Sequence, residues 1–144
     1  METIRSSKQA SLSIFIFRGK PLDAYPYRHT GLFIEHPDQD RRFIHLIGFA
    51  GGFVRDESRG RTPRCSDLFA GSVPIATIPA SRLSDLRSAI WTTAVNNAEH
   101  DWNCHNWVGD ALQSCTKAGL ISMSEADAAL DGMAEILLQA PYTS

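Results

Sequence analysis

Residues 29–48 read HTGLFIEHPDQDRRFIHLIG, and the way this stretch divides decides the fold. Residues 29–35 and 42–48 are rich in β-branched and aromatic side chains. The segment between them, His36-Pro37-Asp38-Gln39-Asp40, carries the Pro and Asp residues that favour a turn. Two such runs joined by a short polar turn predict an antiparallel hairpin. Upstream, Ile14-Phe15-Ile16-Phe17 within residues 12–17 predicts a first strand, ended by Arg18-Gly19-Lys20-Pro21. Downstream, Gly51-Gly52 permits a bend into Phe53-Val54. Residues 72–78 predict a further strand, which Pro74 places near an edge of the sheet. Residues 55–64 are dense in charge and read as a solvated loop.

From Ser81 the period changes. Leu83, Leu86, Ile90 and Ala94 recur at helical spacing and predict a helix over residues 81–95. A second helix is expected over residues 104–118, with Asn103 or Asp101 as N-cap and Gly119 ending it. Ser122 followed by Glu125 is a capping box. It opens a last helix whose stripe of Ala129, Leu130, Met133, Ile136 and Leu137 reads as plain core packing. Strands in the first half and helices in the second imply an α+β fold, an antiparallel sheet packed against helices, in one domain spanning residues 1–144.

With 144 residues, 43% hydrophobic, 21% charged and a formal net charge of -2, the chain has the balance of an ordinary globular domain. Basic residues are scattered, which argues against a nucleic-acid partner. Residues 1–10 lack the apolar centre of a signal peptide, and no apolar run reaches the length of a membrane span. A soluble, cytoplasmic protein is therefore expected. Three cysteines, Cys65, Cys104 and Cys115, show no framework spacing and fit a reducing compartment.

Cys104, Trp107, Val108, Ala111, Leu112 and Cys115 follow one another at steps of three or four, so Cys104 lies on the buried stripe of its helix, at the amino-terminal end. Free backbone N–H groups and the helix dipole there favour a thiolate, and the same N–H groups can hold an oxyanion. A cysteine on an apolar stripe is more often a small buried hydrophobe; its place at the helix start is what argues for chemistry. The sulfur then needs a base on the facing sheet, and the hairpin offers His29 and His45. If Glu35 pairs with Arg41, His45 sits opposite Gly31 and diagonal to His29, about 7–8 Å away at the β-carbons. A bulge that shifts the pairing by two sets the histidines directly opposite, whereas pairing Glu35 with Arg42 puts His45 on the other face. In either of the first two geometries His45 can orient and polarise His29. Tyr27, Trp102 and Trp107 are candidate pocket walls, with ordinary packing as the alternative. His36 is expected in the turn and His100 in a loop near the helix cap, and Cys65 is given no role.

Tyr27-Arg28-His29-Thr30-Gly31-Leu32-Phe33-Ile34, then Phe43-Ile44-His45-Leu46, then Asn103-Cys104-His105-Asn106-Trp107-Val108 resemble the three blocks of the lecithin retinol acyltransferase-like group, circularly permuted relatives of NlpC-type papain-fold cysteine enzymes. The order His, His, Cys carries the resemblance. It implies a permuted papain-like fold over about residues 12–118, with His29 as base, His45 as third polar residue and Cys104 as nucleophile. His105 stands where the group often has an acidic residue. The hydrophobic tail of its membrane-active members is replaced by an amphipathic helix, so a lipid substrate is not implied. Permuted deSUMOylating isopeptidases share the same order.

The function expected from these residues is a thiol-dependent hydrolase or an acyl or aminoacyl transferase, proceeding through a thioester on Cys104. It would use a Cys-His-His triad, a small-molecule or peptide substrate and no cofactor. Two other readings stay open: a zinc site built from His29, His45 and Cys104, and an inactive papain-like binding module.

Overall fold

The computed structural model describes residues 8–38, 41–60 and 62–142. Residues 1–7, Gln39 and Asp40 of the expected turn, and Arg61 of the expected loop lie outside the described residues. Five strands, β1 (Gln9–Phe17), β2 (His29–Glu35), β3 (Arg41–Ile47), β4 (Val54–Arg59) and β5 (Phe69–Pro79), form an antiparallel sheet in the order β4-β3-β2-β1-β5. Three helices follow, α1 (Leu83–Trp91), α2 (Cys104–Lys117) and α3 (Met123–Leu138). The architecture is α+β, as the segregation of strand and helix patterns predicts.

The hairpin register is Glu35 with Arg41, which sets Gly31 opposite His45. Pro74 lies in β5, an edge strand, where a missing N–H costs no ladder bond on the open side. β4 corrects the expected loop over residues 55–64. The strand was hidden because its charged side chains are paired on both faces, Glu57 with Arg42 and Arg87 on one and Asp56 with His45 on the other. α1 is shorter than expected. The hydroxyls of Thr92 and Thr93 bond back to the carbonyls of Ser88 and Ala89 as the helix ends.

Alternation along the strands divides the interior in two. The even-numbered residues of β1 to β3, including Leu12, Ile14, Ile16, Leu32, Ile34, Ile44 and Leu46, pack against the buried stripes of the helices. α2 lies on β2, α3 on β5 and β1, and α1 beside α2. The odd-numbered residues Phe15, Phe17, Phe33 and Phe43 form a separate aromatic cluster on the other face. Part of that cluster is covered by the β4–β5 connection, whose Arg64 guanidinium lies 4.9 Å above the Phe15 ring.

Candidate active site

The helix that carries the cysteine starts sharply. The Asn103 side chain accepts from the His105 backbone N–H, and Asn106 bonds back to the Asn103 N–H, a reciprocal cap that fixes Cys104 as the first helical residue. Cys104 is 8% exposed, and its thiol donates to the Arg28 carbonyl oxygen at 3.9 Å. Burial pushes the thiol pKa up; the Thr30 hydroxyl and the backbone N–H groups of Thr30, Cys104 and His105 act the other way without cancelling it. Thr30 Oγ1 is fully buried and has no hydrogen-bond partner, and its hydroxyl is near enough to the sulfur to favour the anion. The resting sulfur is a protonated thiol with anion-stabilising donors already around it.

Arg28 holds this corner together. Its guanidinium is buried and grips Asp23 through two 2.7 Å bonds, while a third bond reaches the Ile136 carbonyl on α3. Its own carbonyl then receives both the Cys104 thiol and, at 2.7 Å, His105 Nε2. His105 therefore turns toward the corner, and its ring packs perpendicular to that of Tyr25. No local pattern marks Asp23 or the role of Arg28, because a buried ion pair is a tertiary event.

His29 Nε2 lies 2.7 Å from His45 Nδ1, and His45 Nε2 lies 3.0 Å from Asp56 Oδ2. A carboxylate only accepts, so His45 donates from Nε2 and accepts at Nδ1. His29 then donates from Nε2, and its lone pair is on Nδ1. Asp56 is thus the third link behind the imidazole, one step beyond the expected His29–His45 pair. Gly31 makes room for this chain: a methyl group there would come within 2.5 Å of the Phe43 ring and 2.8 Å of His45 Cβ. Burial, with the neighbouring His45 and His105, lowers the His29 pKa to about 4, so the ring is neutral at pH 7. Burial also lowers that of His45, against the pull of Asp56.

The expected meeting across the sheet takes a different form. His29 and His45 are odd-numbered and stand on the aromatic face, in ring contact with Phe17 and Phe43. Thr30, not His29, is the β2 side chain on the face that α2 covers. Cys104 and His29 instead border one cavity of about 500 Å³ around the starting end of β2, with Lys20, Tyr27, Phe49 and Trp102 among its walls. Gly48 and Gly51, at positive φ, turn the loop that brings Phe49 to this wall.

Of the expected pocket walls, Tyr27 is 51% exposed and lines the cavity from a short 3₁₀ turn just before β2. Trp102 lines it as well, with its ring edge toward Phe53. Trp107 does not. It is fully buried in the core and donates to the Thr93 carbonyl, because on the same stripe as Cys104 it lies about 4.5 Å further along the helix axis, under the sheet rather than at its edge. His100 is exposed at the cavity rim, and the His36 ring accepts the Asp38 N–H in the turn. His29, His45 and Cys104 do not converge as metal ligands, and among the described residues no three His, Cys, Asp or Glu side chains do. No described helix is long and apolar enough to cross a membrane. Comparison of the chain with protein-family models, with curated proteins and with solved structures finds no match.

Proposed function

We propose that the chain is a thiol-dependent hydrolase or acyl transferase of permuted papain-like design, acting on an ester, amide or peptide bond through a thioester on Cys104. The observation that carries this reading is the shared cavity. A helix-start sulfur ringed by N–H donors borders the same space as an imidazole tethered to His45 and Asp56.

The protonation states set the order of events. With a raised thiol pKa and an imidazole that titrates near 4, the resting pair is neutral thiol and neutral base rather than thiolate and imidazolium. Attack and deprotonation therefore go together: the Sγ–H proton passes to His29 Nδ1 as sulfur bonds to the carbonyl carbon, and the carbonyl π electrons move to oxygen. The N–H groups at the start of α2 meet that oxyanion. His45 and Asp56 hold the imidazolium that forms. Collapse breaks the bond to the leaving group, which takes the proton from His29 and leaves the thioester for water or another nucleophile. A small-molecule or peptide substrate fits a cavity of this size.

Intact-mass measurement after incubation with 4-nitrophenyl acetate tests the proposal. One acetyl group is expected on the wild type and none on Cys104→Ala at the same pH, with turnover lost in the variant. An acetyl group retained by Cys104→Ala, or full turnover without Cys104, would overturn it.

A further inference from the structure

The aromatic face carries a second cavity, of about 380 Å³, whose walls include Phe17, Phe43 and Leu68 and whose floor is the His29–His45 pair. Lys20, Tyr27 and His29 border both this cavity and the one that holds Cys104. The two spaces therefore meet where β2 begins. Since the base stands on the aromatic face of β2 and the sulfur on the helix that covers the other face, a substrate that engages both has to pass around that end and occupy both spaces.

We propose that the phenylalanine-lined cavity is the acyl subsite and that its occupant is an apolar, ring-bearing acyl group; this rests on the thioester reading of Cys104. The walls set the class. Aromatic rings at Phe17 and Phe43 present flat apolar surface, and offset or edge contacts with them favour a ring over a flexible chain. The floor adds no charge, because the His29 ring is neutral at pH 7. Arg18 is already turned to the Asp67 carbonyl. Lys20, at the junction of the two spaces, supplies the one complementary charge the reaction calls for, an ammonium beside the carboxylate that hydrolysis of the thioester releases.

Ser66 is exposed and lines the aromatic-face cavity without bordering the Cys104 cavity, so Ser66→Trp fills the subsite from outside. The rates of Cys104 acylation by 4-nitrophenyl phenylacetate and 4-nitrophenyl acetate, read by intact mass, give a preference in which the common leaving group cancels. That preference is expected to fall at least tenfold in Ser66→Trp; an unaltered ratio overturns the subsite. A second measurement is independent of chemistry. Phenylacetate titrated into Cys104→Ala should shift the NMR signals of the His29 and His45 rings, and Ser66→Trp in the same background should abolish the shifts. Absence of any shift overturns the subsite. Ring shifts together with a wild type that neither ester acylates would mean that the subsite stands and the thioester reading fails.

Discussion

On the helix-covered side of the sheet the core is filled mainly by aliphatic side chains and by the buried stripes of three helices, with Trp107 among the largest fully buried residues. On the opposite side a small cluster of phenylalanines is only partly roofed by the β4–β5 connection, and a cavity and a chain of titratable groups lie beside it. One face supplies stability and the other keeps room for a ligand. The sulfur sits at the seam, on a helix that belongs to the first face but at the one end of β2 from which the second is reachable. A close-packed face cannot open without losing the contacts that hold it. Chemistry that needs access therefore belongs at the edge of the stable layer rather than inside it.

The sharpest way to break this comparison is to cut a large side chain from each face. Trp107→Ala is expected to cost about 3–5 kcal/mol in chemical denaturation, the range for a large buried aromatic. Phe69→Ala, half-buried on the open face, should cost about 1–2 kcal/mol. Equal losses would mean that the two faces share the work of stability.

Acid should act through the open face next. The His29 pKa is about 4 in the folded protein against 6.5 for a free imidazole, so the unfolded chain binds more protons between these values. Stability is unaffected above pH 6.5 and falls as the pH drops through 6.5 toward 4, by about 3 kcal/mol for this group. His45 and His105, also lowered, act in the same direction. Asp23 and Glu57, whose pKa values their arginine partners lower, add their losses only below the ordinary carboxylate range. Denaturation at stepped pH should show the first decline in that upper window, and His29→Phe should flatten it; an identical profile in the variant would contradict the assignment.

The smallest effect is expected at Asp56, 42% exposed at the end of the histidine chain. Asp56→Asn keeps a hydrogen-bond acceptor but removes the charge that steadies an imidazolium. Acylation should slow about tenfold, equivalent to 1.4 kcal/mol, with stability within about 0.5 kcal/mol of wild type. A loss as large as that from removing His29 would promote Asp56 from a supporting role.

How far the sequence reaches can be judged at particular residues. The 29–48 hairpin, the cap at Asn103 and the capping box at Ser122 were legible because each is a local pattern: β-branched and aromatic runs around a turn, a capping residue before an apolar stripe, and a three-residue spacing. β4 was not, since hydrophobic alternation is absent where both faces are satisfied by ion pairs, and Asp56 was lost with it. The face of His29 was hidden for the opposite reason. Leu32, Phe33 and Ile34 are all buried, so β2 is apolar on both sides and its pattern does not say which side meets a helix. Trp107 looked like a pocket wall because it shares the helix face of Cys104; the rise of about 4.5 Å along the axis is enough to carry it from the sheet's edge into the core.

In the proposed reaction the Cys104 sulfur and the His29 imidazole work as one unit around the end of β2. The rate of Cys104 acylation by 4-nitrophenyl acetate, followed by quenched-flow mass spectrometry from pH 3.5 to 8, tests it most directly. An acid limb near pH 4 is expected in the wild type, with a loss of about 10²–10⁴-fold in His29→Gln. A variant that acylates at the wild-type rate with the same pH profile would contradict it.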